Sequence, residues 1–205
     1  VREREVMDED TAHSAHVARL ALEIFDGTRE LHGLGDDSRE VLEAGALLCN
    51  VGLHVSHAGH HKHSYYLIRN SEKLTGFTDG EIELIAQVAR YHRKSAPRRK
   101  HPEFAALDRD DQRRVRVLAG ILRIAVGLDR DHAGDVSSVR TEVRDDGALA
   151  LVAVPAPEAD IALELFAAGE RTGLLAEALD REVVVAAAPA PRAVATMGAG
   201  PGGGG

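Results

Sequence analysis

The chain has 205 residues, 44% hydrophobic and 28% charged, with a formal net charge of −8. That is enough apolar material for one sizeable core, or one domain plus a small appendage, and the acidic balance disfavours nucleic acid unless basic residues are clustered. One cysteine, Cys49, excludes an intrachain disulfide; with no membrane-length apolar run and no signal-peptide core at the charged N-terminus, the expectation is a soluble cytoplasmic protein.

Only 3% of the residues are aromatic and none is Trp, so Leu, Val, Ile and Ala must fill the core. A first helix is expected from about Asp10 to Leu31, capped by Asp10 or Thr11, with Val17, Leu20, Ala21, Ile24 and Phe25 at three- and four-residue spacing. His32-Gly33-Leu34-Gly35 stops it. A second helix follows the Asp36-Asp37-Ser38 cap signal, carries Val41, Leu42, Ala46, Leu47 and Leu48, and ends near Gly52. After a loop to Gly59 comes a histidine-rich helix, with Ser64, Leu67, Ile68 and Ser71 on one face and Lys62, Tyr66, Arg69 and Lys73 on the other. Thr78 and Glu81 form a capping-box pattern ahead of the stripe Ile82, Ile85, Ala86 and Ala89. The loop Tyr91–Pro102 holds five Lys/Arg and no acid, and a long helix runs from near Asp110 to about Leu128.

The pattern then changes. Val136–Arg144 and Ala148–Pro155 read as strands around an Asp145-Asp146-Gly147 turn. A helix is expected from about Asp160 to Leu179, with Gly169 or Gly173 as the place for a bend, then a last strand at Val183–Val185. The Ala/Pro/Gly tail from Ala186 cannot bury a core and is expected to be disordered. The expected architecture is mostly α: a helical domain over residues 1–132, a small α+β (ββαβ) subdomain over 133–186, and a tail over 187–205. Val1 is compatible with an alternative start codon or with a fragment of a longer chain.

Two stretches carry chemistry. A helix N-terminus offers unpaired N–H groups and partial positive charge, and His61, Lys62 and His63 add to it a landing place for phosphate; the same residues also read as a solvated, histidine-rich helix start. The run from Arg93 to His101 is basic in an acidic protein and sits in a loop, where binding residues concentrate. Arg93, Lys94, Arg98, Arg99 and Lys100, with His92, Lys62, His63 and Arg69, are expected to line a groove for a polyphosphorylated anion, the arginines gripping phosphate oxygens in pairs and the lysines supplying point charge. The alternative is a solvated basic loop without a ligand. His54, His57, His60, His61 and His63 are close in sequence, but residues 53–64 contain no acid to offset a cation, so no metal or other cofactor is expected. Cys49 reads as a buried structural thiol, and Asp129 and Asp131 as helix-end or turn residues. No Walker A or Rossmann glycine pattern is present.

Four segments together resemble a known family: His13-Ser14-Ala15-His16-Val17-Ala18, then Gly52–Ser71 with its Gly-His-His-Lys-His-Ser core, then Val88-Ala89-Arg90-Tyr91-His92-Arg93-Lys94, then Leu122–Asp129. In this order, over about residues 8 to 186, they resemble the C-terminal HD-like region of the exopolyphosphatase/guanosine pentaphosphate phosphohydrolase (Ppx/GppA) family. The resemblance implies an HD-like helical fold. In full-length members an actin-like N-terminal domain performs the phosphoanhydride hydrolysis, and no counterpart of it lies in this chain. An HD phosphohydrolase binds a divalent metal through a His, a His-Asp pair and a late Asp. His13 matches the first ligand, whereas the pair falls on Cys49-Asn50 and the late Asp on Val126.

The function expected is therefore a module that does not hydrolyse by itself and binds polyphosphate or a guanosine polyphosphate. Its expected protein partners are a catalytic actin-like domain in trans and a second copy of the chain, with no membrane partner and nucleic acid disfavoured. The rival readings are a divergent metal-dependent HD phosphohydrolase with a rebuilt histidine site, and a decayed domain serving dimerisation or regulation.

Overall fold

A computed structural model describes residues 11–189. Helix α1 spans Thr11–Gly27, and the short α2, Arg29–His32, follows a break at Thr28. The first helix is thus shorter than expected. The Thr28 hydroxyl donates to the Ile24 carbonyl at 2.7 Å, and left-handed Gly33 closes α2. Helix α3 covers Asp36–Leu48; the chain then tightens into a 3-10 turn over Val51–His54, so the expected end near Gly52 falls inside that turn. The histidine-rich helix α4 is His60–Arg69, with Ser64 and Ile68 buried as the helical count requires.

Helix α5, Asp79–Arg90, has the full capping box: Thr78 accepts from the Glu81 N–H, and the Glu81 carboxylate accepts from the Thr78 N–H at 2.7 Å. A single turn, α6 (Pro102–Ala105), precedes the long α7 (Arg109–Gly127), which Asp108 caps. Helix α7 is the axis of the core. It packs on α1, α3 and α5, and on the two helices that follow the hairpin.

Strands β1 (Val136–Val143) and β2 (Leu149–Pro155) pair antiparallel, and β3 (Val183–Ala187) joins β2 in parallel, in the order β1-β2-β3. The helix expected from Asp160 to Leu179 is two: α8, Ala162–Gly169, and α9, Gly173–Leu179. Two glycines four residues apart weaken any continuous helix, and the Thr172 hydroxyl donates to the Gly169 carbonyl at 3.0 Å in the gap. Strand β3 runs through Ala187, so the residues from Ala186 begin as sheet; the tail from residue 190 onward lies outside the described residues.

The architecture is mostly α with a small α+β appendage, and the two share one hydrophobic core. Leu118, Ile121 and Leu122 of α7 belong to the same buried cluster as Val139, Leu151 and Ala153 of the sheet. Strand β1 is stitched to α1, with the Val139 N–H donating to Glu23 at 2.7 Å and the Thr141 hydroxyl to the Gly27 carbonyl at 2.8 Å. Among the described residues, no helix is long and apolar enough to cross a membrane.

Candidate functional site

A cavity of about 290 Å³ opens where several elements end. His13 enters from the first turn of α1, Asn50 and Leu53 from the 3-10 turn, His60 from the first residue of α4, and His92 and Arg93 from just after α5. Val126 lies near the end of α7; Asp129, Arg130 and His132 follow in the turn, and Arg171 comes from the gap between α8 and α9. Helix ends carry short irregular backbone, so side chains distant in sequence can converge there.

His13 and Asp129 are both buried and bonded, Nδ1 to Oδ2 at 2.7 Å. The other carboxylate oxygen accepts from the Gly134 N–H at 2.9 Å. Burial opposes the charge on Asp129, but these two bonds outweigh it and hold its carboxyl below the usual range. The His132 ring stacks on His13 with centroids 3.6 Å apart. Asp129 thus does more than end a turn, whereas Asp131 accepts from the Ala133 N–H as a turn residue would.

A second pair lies opposite. His92 Nδ1 donates to the Ala89 carbonyl at 2.6 Å, which leaves its Nε2 to accept from His60 Nε2 at 3.3 Å. Burial pushes the His92 imidazole down to about 3. His60 is lowered by burial and then by the Arg93 guanidinium, whose Nη1 sits 3.4 Å from both of its ring nitrogens. At neutral pH these rings are uncharged, and the fixed positive charges of the cavity are Arg93, Arg130 and Arg171.

The loop carrying Arg93 is held from beneath. Arg123 on α7 donates to the carbonyls of Tyr91, Lys94 and Ser95 at 2.7, 2.8 and 2.9 Å, and fixes Lys94 in a left-handed conformation (φ 60°). Arg171 is admitted by Gly127. A Cβ at that position would stand 2.6 Å from the Ala168 Cα and 2.9 Å from Arg171 Nη1. Gly52 serves the other side, where a Cβ would meet the His60 carbonyl at 2.1 Å; the Gly52 N–H instead reaches the Ser64 hydroxyl at 2.9 Å, drawing α4 onto the 3-10 turn.

The donor set does not fit the divalent cation that an HD-type resemblance implies. Val126 offers no ligand atom. The buried Cys49 thiol donates to the Ala46 carbonyl at 3.3 Å, and a guanidinium stands against His60. Among the described residues, no group of three or more His, Cys, Asp or Glu is placed to hold a metal ion.

The order of elements and this convergence at the helix ends invite comparison with known proteins. The family model described as Ppx/GppA phosphatase, domain III, matches residues 4–157, more than half of the chain. The chain belongs to the Ppx/GppA family. A guanosine-5'-triphosphate,3'-diphosphate pyrophosphatase of Pseudoalteromonas translucida (strain TAC 125) is 31% identical over 144 residues, which cover 67% of this chain and 27% of that relative. The matched stretch spans about a quarter of that relative's length.

In this Ppx/GppA domain the residues singled out from sequence are dispersed. His92 and Arg93 reach the cavity. Arg69 has its charge matched inside the protein, by two bonds to Asp79 at 2.8 and 3.0 Å and an ion pair with Glu83 at 2.9 Å. Lys62 is exposed on α4 beside His61 and His63; burial first, then neighbouring positive charge, pushes His61 down to about 4. Lys94, Arg98, Arg99 and Lys100 are exposed. Their loop is pinned by His101, whose Nδ1 accepts from the Tyr91 hydroxyl at 2.8 Å and from the Arg98 N–H at 3.3 Å. Arg99 lines a separate groove on α7 with Arg109, Arg113 and Arg116. Sequence reasoning missed Arg130, Arg171 and the pairing of Asp129 with His13. The available signals were the Asp129-Arg130-Asp131 run right after the long helix and a lone arginine between Gly169 and Gly173.

Proposed function

We propose that the chain is a polyanion-binding module that holds polyphosphate or a guanosine polyphosphate for a Ppx/GppA-type phosphoanhydride hydrolase, with no hydrolytic activity of its own. The observation that carries this reading is the loop after α5. Arg93, Lys94, Arg98, Arg99 and Lys100 fall within residues 93–100 with no acid between them, and among the described residues they enter no ion pair, as Arg109, Arg113, Arg116 and Arg140 also do not, whereas Arg19, Arg29, Arg39, Arg69, Arg90, Arg114 and Arg144 each do. Unmatched cations crowded on a net-acidic protein favour an anion from outside. The name of the relative, a pyrophosphatase of a guanosine polyphosphate, supports the ligand class. In this reading the module has an HD-like ancestry, works in the cytoplasm, and meets its catalytic domain in trans or as a neighbouring domain of the same protein, with a second copy as a further partner.

Titration with polyphosphates of defined length, at two salt concentrations, tests the proposal. Affinity is expected to rise with chain length and to fall steeply with salt, since exposed charge pairs are screened over ~10 Å at ~0.1 M. Replacing Arg98, Arg99 and Lys100 together with Ala should weaken binding by about 1–3 kcal/mol, taking up to ~1 kcal/mol per exposed contact. No binding at low salt, or equal binding by the triple variant, overturns the reading. Mn²⁺-dependent turnover of polyphosphate that disappears in His13→Ala would instead establish the enzymatic alternative.

A further inference from the structure

We infer that the cavity beside His13 is an oxyanion site that works without a metal and takes one phosphoryl group between the guanidinium groups of Arg93, Arg130 and Arg171. The inference rests on the polyanion reading only for the identity of the chain whose end would enter; the site itself stands on its own geometry.

Three guanidinium groups reach one cavity from three separate segments: after α5, after α7, and between α8 and α9. Bringing like charges together is unfavourable unless something balances them. Burial, then Arg130, then Arg93 lower the pKa of Arg171, so the cost falls on the charged form of that side chain. Among the described residues, no counter-charge on the cavity wall is to spare. The one carboxylate on the cavity wall is Asp129, whose oxygens already accept from His13 and from the Gly134 N–H. Arg171 Nη1 is buried and has no hydrogen-bond partner among the described residues. That nitrogen packs against Gly127, so the guanidinium must turn toward the cavity before it meets an acceptor, and until then the unpaired donor costs free energy.

The missing acceptor must be anionic to answer three cations, and small to enter. At about 290 Å³ the cavity holds several times the ~30 Å³ that a liquid water occupies. The planar fork of a guanidinium matches the oxygens of a phosphoryl group, and three forks can share its three non-bridging oxygens. The neutral His60–His92 pair faces the same space and adds no positive charge.

Two sources carry this chemistry: free orthophosphate and the terminal group of a polyphosphate. Calorimetric titration of the 205-residue chain in metal-free buffer, first with orthophosphate and then with tripolyphosphate, reads the site directly. One site per chain is expected. Its affinity should drop about tenfold or more in Arg130→Ala and in Arg171→Met, as befits loss of one charge-assisted contact, and stay unchanged in Arg140→Ala, which removes one surface charge from β1. Arg130 is exposed, so Arg130→Ala tests the site even if Arg171→Met fails to fold. Phosphorus NMR of tripolyphosphate separates the sources: a shift of the terminal resonances alone assigns a chain end, and orthophosphate binding without tripolyphosphate binding assigns the free ion. Equal affinity of wild type and Arg130→Ala overturns the inference. So does stoichiometric Mn²⁺ or Zn²⁺ binding that is lost in His60→Ala. Failure of the basic loop would appear differently, as long chains that bind equally well after Arg98, Arg99 and Lys100 are removed.

Discussion

His92 shows how a residue that looks functional in sequence can be structural first. It is buried, its Nδ1 is fixed by the Ala89 carbonyl, and burial pushes it down to about 3. The folded state therefore binds fewer protons than the unfolded chain, whose imidazole titrates near the ordinary 6.5. As pH falls through about 6.5 the unfolded state gains a proton that the native state refuses, and stability is lost progressively down to about pH 3. Between about pH 7 and about pH 5, His92 alone should cost roughly 1–2 kcal/mol. Burial lowers His32, His60 and His61 too, and they steepen the same slope. Urea unfolding at several pH values measures it; a profile flat down to about pH 5 would mean that His92 charges inside the fold. Gly127 is the second residue-scale case. Gly127→Ala forces a methyl onto Ala168 and Arg171, and should destabilise by about 1–3 kcal/mol, the usual cost of overpacking. A loss under a few tenths of a kcal/mol in the same assay would show that α8 can retreat.

At the scale of elements, the features legible in sequence were those settled by neighbours along the chain. The Thr78/Glu81 capping box and the Asp145-Asp146-Gly147 turn, with Gly147 at φ 86°, are local physics and appear as expected. Breaks inside helices were less legible, because Thr28 and the Gly169–Gly173 gap compete with apolar patterns that run straight through them. The cavity was least legible. Arg130 and Arg171 have no periodic relation to His13 or Arg93, and tertiary packing, including the close approach at Gly127, brings them together. The basic loop was recognised by charge, yet its shape depends on Arg123, which lies on the helix beneath it. Arg123→Ala removes three contacts to main-chain carbonyls. It should speed amide exchange across residues 91–102 and cost about 2–3 kcal/mol, since hydrogen bonds from a charged donor are the stronger kind. Exchange unchanged in that segment would show that Pro97 and His101 suffice to hold it.

For the whole molecule, the boundary drawn near residue 132 separates two kinds of secondary structure, while the buried side chains form one cluster across it. Leu175 of α9 sits against Gly120 of α7, where an added Cβ would lie 2.9 Å from its backbone, and Ala168 sits closer still to Gly127, at 2.6 Å from such a Cβ. Contacts this intimate cannot be parted without exposing the core of both portions. Heat denaturation is therefore expected to give one transition, with calorimetric and van't Hoff enthalpies in agreement. Two resolved transitions would show that the ββαβ portion melts independently.

The position of Arg171 has a mechanical consequence. It is the one guanidinium of the cavity that belongs to the α+β appendage; Arg93 and Arg130 belong to the helical portion. An anion gripped by all three would act as a rivet across the seam, joining two layers that otherwise meet through apolar contacts and the stitches along β1. Occupancy would then be felt far from the cavity, as slower fraying of β3 and a melting temperature that climbs with the logarithm of ligand concentration.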